Sequence, residues 1–341
     1  MPTAMSSVKH GLSFRLSHAL NTTNQGEYRN SVISSPFLTE YELGYIMWKD
    51  TLHLHFIVFL WGFTSILGKL ISLDSTVIVC YRTTISAIAL AAIIWAGKRK
   101  VKIKKKSALK IILTGFIVSL HWILFFAAAK LSVSICLAGI ATVTLFTSVL
   151  EPVILKTKLK WYEVMLGLFV IVGLYTIFQF EYEYSYALIL SLISAFLAAL
   201  FSILNKKFTS AYSSLSITYY EMIGASICSL IAIPFYSKIS GLSLEIMPTF
   251  ADWGYLLVLA LICTVYAFYF SVQILRKMSA FKVNLVINLE PVYGIILALL
   301  IFPESEEMSS QFYLGTAIIV CSVFLYPFLD KKFGNQKVID N

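Results

Sequence analysis

The chain has 341 residues, 58% hydrophobic and only 13% charged, with a formal net charge of +9. Soluble domains carry about 25% charged residues, so the composition excludes an ordinary water-solvated globule and points to a chain solvated mainly by lipid. The basic balance does not argue for nucleic acid, because Lys and Arg fall in short clusters between apolar runs, as in the cytoplasmic loops of membrane proteins.

Residues 1–50 are polar, rich in Ser, Asn and Thr, and hold neither a spanning run nor a secretory apolar core. They read as a disordered cytoplasmic tail. From residue 55 onward apolar runs follow one another closely. A span needs about 20 apolar residues, and ten candidates meet that length: 55–73, 76–96, 108–129, 133–155, 161–180, 186–204, 214–236, 253–275, 279–302 and 311–329. Connections as short as Leu73-Asp74-Ser75 leave room only for hairpins. Runs this long satisfy their backbone in lipid as helices. The expected fold is all-α and polytopic, with a short basic C-terminal tail over 331–341.

The loops set the orientation. Counted on alternate sides, 23 of the 27 Lys and Arg residues fall on the side of the two termini, whereas only Lys130 and Lys238 fall in loops opposite. The opposite side carries Asp74, Glu181, Glu183, Glu245, Asp252, Glu304, Glu306 and Glu307. The positive-inside rule therefore predicts both termini in the cytoplasm, which requires an even number of spans.

The two halves of the chain repeat each other faintly. Ser65-Ile66-Leu67-Gly68-Lys69 returns as Ser202-Ile203-Leu204-Asn205-Lys206, offset by 137. Ile78, Tyr81 and Arg82 return as Ile217, Tyr220 and Glu221, offset by 139, and Leu166-Gly167 returns as Leu314-Gly315, offset by 148. The order and near-constant offset predict a duplication, over 51–180 and 186–330. Five spans per half is an odd number, so the second copy enters from the other side, the inverted arrangement of many transporters. Leu-Glu-Pro-Val occurs at both Glu151 and Glu290, offset by 139, but the flanking Leu131-Ser132 and Met278-Ser279 are offset by 147. A gap-free alignment pairs Glu290 with Val143 or Thr142, so the two Glu-Pro pairs are not expected to be equivalent.

Trp61-Gly62-Phe63 followed by Lys69, and Asn288-Leu289-Glu290-Pro291-Val292-Tyr293 followed by Pro303-Glu304 and Leu314-Gly315, resemble the EamA family of the drug/metabolite transporter superfamily. The resemblance runs over about residues 51–329. It implies a ten-span, two-repeat permease of a bacterial inner membrane that carries small metabolites, often outward.

Ionisable side chains at mid-bilayer usually face a cavity or a partner. Glu290, about 12 residues and hence roughly 18 Å into its helix, is the leading candidate. It would bind a substrate ammonium or a coupled proton, or else bond a neighbour such as Lys69 or Asn288. Arg82 and Glu221 sit at matching repeat positions, one to two turns from opposite faces, where they either snorkel or act in gating. Lys69 reaches outer water or pairs with a carboxylate on the ninth helix. Glu151 reads as interfacial, with a pathway role as the alternative. His121 either titrates or hydrogen-bonds across helices. Tyr220 and Asn288 are further pathway candidates, and Tyr81, Tyr219, Trp122, Tyr266 and Asn284 join them as an aromatic, polar set. If helix four answers Glu290, it does so through threonines such as Thr142.

The resemblance implies a secondary carrier in the lipid bilayer for a small metabolite such as an amino acid, with export the expected direction. Uptake of a sugar or another metabolite is the nearer alternative, and a membrane-embedded enzyme the more distant. The sequence has no Walker-type GxxxxGK[ST], HExxH or GxSxG pattern. The five cysteines lie singly inside apolar runs, so neither metal nor cofactor is expected.

Overall fold

Several of the apolar runs form helices that start where the sequence places a side-chain acceptor. Asp74 accepts from Thr76 N–H at 2.8 Å, Ser132 from Ile135, Ser213 from Ser216, and Ser279 from Lys282. Thr249 and Asp252 form a reciprocal capping box. Such residues satisfy donors that a helix start leaves without internal partners.

In a computed structural model the described residues are 40–241 and 244–334. The tail expected over 1–50 thus lies, through residue 39, outside the described residues, and so does the C-terminal tail beyond 334. The chain divides into two units, Met1–Asp50 and Thr51–Asn341, and the helical bundle is the second. In chain order the helices are α1 (Glu40–Leu70), α2 (Ser75–Ala96), α3 (Lys105–Leu131), α4 (Val133–Leu155), α5 (Trp161–Phe180), α6 (Ser185–Phe208), α7 (Ser214–Ser240), α8 (Phe250–Ile274), α9 (Ala280–Ile301) and α10 (Ser310–Leu329). Among the described residues nine are long and apolar enough to cross a bilayer, while α5, apolar over Trp161–Ile177, is shorter. The protein is an all-α polytopic membrane protein.

Three helices are not the continuous rods that their hydropathy predicts. α4 breaks between Val133–Ile140 and Val143–Leu155, and α9 between Ala280–Ile287 and Glu290–Ile301. Pro291 accounts for the second break, because it lacks a donor and crowds the preceding turn. The first has no proline beside it; there Thr142 N–H turns back to Gly139 C=O at 3.1 Å, a tighter three-residue bond. The second halves of the two helices open at Val143 and Glu290, so the breaks fall at the offset that aligns those residues. α8 contains a π-helical stretch over Val258–Tyr266.

Small residues bring helix backbones together, as expected where lipid offers no hydrophobic drive between helices. A Cβ on Gly224 of α7 would lie 2.1 Å from Ile112 O of α3, and one on Gly115 of α3 would lie 2.2 Å from Glu221 O of α7. α5 and α10 approach in the same way: a Cβ on either Gly173 or Gly315 would lie 2.6 Å from the other's carbonyl oxygen.

Candidate functional site

Six helices (α1–α4, α6, α8) and the first turns on both sides of the α9 break surround one cavity of about 80 Å³. That exceeds the roughly 10–15 Å³ a cavity needs to hold a water. Its walls are aromatic, from Trp61, Trp122, Phe125, Phe201 and Phe268. Its polar groups are few: Thr64, Arg82, His121, Ser202, Asn205, Ser271, Asn284 and Glu290.

Many lining residues come in pairs across the two halves. Trp61 and Thr64 correspond to Ala198 and Phe201, at the offset of the Ser-Ile-Leu-x-Lys repeat. His121, Phe125, Ile140 and Val143 correspond to Phe268, Val272, Ile287 and Glu290, at the offset of the two helix breaks. At these offsets the chemistry differs: a carboxylate answers a valine, and an imidazole answers a phenylalanine.

Glu290 is 5% exposed and opens the second half of α9. Among the described residues nothing donates a hydrogen bond to its carboxylate, and the residue lines the cavity. Neither Lys69 nor Asn288 serves it. Arg82 lines the same cavity without forming an ion pair with Glu290. Its guanidinium lies over Trp122, 3.9 Å from the ring centroid, and its Nε donates to Thr264 Oγ1 at 2.7 Å. Thr264 belongs to the π-helical stretch, and its hydroxyl also bonds Leu259 C=O at 2.8 Å. Arg82 therefore does not snorkel. It is 2% exposed, locked by stacking and one hydrogen bond, with its two Nη groups free of partners among the described residues.

His121 bonds across helices to α6. Nδ1 lies 3.0 Å from Ser194 C=O and 2.7 Å from Ser194 Oγ, whose hydroxyl donates to His121 C=O at 2.9 Å. A carbonyl only accepts, so Nδ1 carries a proton. Asn284 donates from Nδ2 to Thr147 and Ser202, each at 2.8 Å. Its Oδ1 accepts nothing among the described residues.

The other candidates lie elsewhere. Lys69 sits in the last turn of α1 and pairs with Glu306, not with a mid-helix carboxylate. Glu221 is fully buried and accepts one 3.3 Å bond from Asn205, so it stands one residue behind the cavity wall rather than snorkelling. Tyr220 packs on Tyr219, Tyr81 bonds Ile246 C=O, and Tyr266 bonds His53; none lines the cavity. Asn288 is buried at the α9 break, its side chain has no hydrogen-bond partner among the described residues, and it does not line the cavity either. Thr142 turns its hydroxyl onto Gly139 C=O at 2.7 Å, so Val143, not Thr142, faces across from Glu290. Glu151, near the end of α4, is buried within the protein and receives the first N–H groups of α9. Sequence reasoning missed Asn205 and Ser202 as cavity residues, although both lie in the repeated Ser-Ile-Leu-x-Lys segment. It also read Glu306 as a loop acid.

Among the described residues all five cysteines are free, and no cluster of His, Cys, Asp or Glu could hold a metal.

The model of the EamA-like transporter family matches residues 52–179 and again 185–327. No curated protein matches the sequence. Among solved chains, one crystal structure of a protein superposes with a TM-score of 0.62 at 15% identity, covering 83% of this chain and 98% of that one. At that identity the likeness shows the fold alone.

Proposed function

Because the chain belongs to the EamA-like transporter family, we propose that it is a secondary carrier that moves a small zwitterionic metabolite, such as an amino acid, out of a bacterial cytoplasm. Ten helices cross the inner membrane in two inverted halves of five, with both termini inside. The side-by-side matches to one family, the paired cavity residues and the basic loops on one side support this topology.

The observation that carries the substrate reading is the pair of unsatisfied opposite charges in one cavity. Arg82 offers a fixed planar fork of donors, which suits a carboxylate. Glu290 offers acceptors without a partner, which suits an ammonium. A ligand bearing both charges satisfies both groups; a ligand with one charge leaves the other group buried and bare, at a cost of about 1–3 kcal/mol or more. In the empty carrier Glu290 is also the natural site for a coupled proton.

Counterflow in proteoliposomes tests the reading. Wild-type protein should exchange zwitterionic amino acids in preference to their amides, which lack the carboxylate, and to their deaminated acids. Glu290→Gln should insert normally and lose transport. Wild-type rates in that variant would sink the role given to Glu290.

A further inference from the structure

The two broken helices begin with the same chemistry. At the start of α4, Ser132 accepts from Ile135 N–H at 3.2 Å, which leaves Val133 and Ser134; both donate at 2.9 Å to Glu306, just beyond α9. At the matching start of α9, Ser279 accepts from Lys282 N–H at 3.2 Å. Ala280 and Phe281 then donate at 3.0 and 2.7 Å to Glu151, near the end of α4. Each broken helix is thus followed or closed by a glutamate that caps the first turn of the other. A helix start carries orphan donors and the positive end of the dipole, so a carboxylate there makes charge-assisted bonds.

The two ends differ. Glu306 is fully buried, also accepts from Ser132 Oγ at 3.1 Å, and pairs with Lys69 of α1. Glu151 has no cation partner among the described residues. The cavity lining runs toward the Glu151 end, through Asn205, Leu275 and Val283, and includes none of the Glu306 cluster.

We propose that Glu306 and Glu151 are the two latches of alternating access, each holding one end of the α4–α9 pair shut. The pair parts at one end at a time by bending at its two mid-membrane breaks. Lys69 makes the outer latch the stronger, so the resting carrier loads from the cytoplasm. This inference rests on the carrier reading and the orientation given above.

Two cysteine probes report the two ends. Cys136 lies one turn inside the outer latch and is buried, its Sγ 3.3 Å from Phe125 C=O. Val283, its counterpart in the second half, lines the inner part of the cavity. The other four cysteines are replaced by alanine, and Val283→Cys is made in a Cys136→Ala background. A membrane-impermeant charged thiol reagent is added to vesicles of known sidedness.

In the otherwise unchanged carrier, Cys136 should resist the reagent from outside, while Val283→Cys reacts from the cytoplasm. Glu306→Gln should speed outside labelling of Cys136 about tenfold or more and slow labelling of Val283→Cys. Glu151→Gln should do the reverse, with Cys136 still protected. If Glu306→Gln fails to insert, Lys69→Met weakens the same latch and should shift the probes the same way. Unchanged labelling in the inserted variants, or both probes rising together, would show a static strut and overturn the proposal. If the orientation alone is wrong, the reactive sides exchange while the opposed response of the two probes survives.

Discussion

An isolated charge in a bilayer costs from about 2.5 kcal/mol upward, so each one here needs a physical reason. Lys69 and Glu306 supply one another's. Arg82 has Trp122 beneath it and Thr264 beside it, and cation–π stacking of a desolvated guanidinium is worth about 2 kcal/mol. Glu290 has no such support, and this is why it stands out as a binding group. The orientation of Arg82 depends on Thr264, which does not itself line the cavity. Thr264→Val keeps the shape and removes the acceptor. Transport by this variant should show a KM raised about ten- to a hundredfold, from about 1.5–3 kcal/mol for one charge-assisted hydrogen bond, with the maximal rate little changed. A fall in maximal rate with unchanged KM would place Thr264 in the moving parts instead.

Among the helices, close backbone approach does the work that hydrophobic burial does in water. Gly224 and Gly115 let α3 and α7 touch, and an added methyl on Gly224 would meet the Ile112 carbonyl, which cannot rotate away as a side chain does. Gly224→Ala should therefore destabilise the protein by about 1–3 kcal/mol, the usual cost of overpacking. It should show as a lowered Tm in detergent. Gly254→Ala is the control, since nothing stands within 4 Å of its added Cβ. The π-helical stretch of α8 matters for a related reason. It presents Thr264 to Arg82, and Ala260 C=O to Ser86 Oγ at 3.1 Å, which ties α8 to α2 behind the cavity.

For the whole molecule, the proposed topology makes a direct prediction. A reporter that is active only in the cytoplasm should work when fused after α10 or within the basic loop between α2 and α3. It should be silent between α7 and α8, where Glu245 lies. Activity at the α7–α8 position would reverse the orientation and, with it, the exporter reading.

Much of this was legible in the sequence because lipid imposes simple rules. Apolar run length sets helix existence, loop charge sets the expected sidedness, and a nearly constant offset exposes the repeat; the same offset pairs Glu290 with Val143, as the cavity walls do. What the sequence could not decide were contacts between distant segments. Glu306 looks like one of three loop acids until α4 brings its first turn against it, and Arg82 looks like a snorkelling cation until Trp122 and Thr264 enclose it. Hydropathy is a property of single segments, so the chain by itself determined which segments are apolar enough to enter a membrane. Hydrogen bonds and ion pairs need particular atoms within about 3 Å, so only the tertiary structure decided which charges share the cavity and which hold its ends.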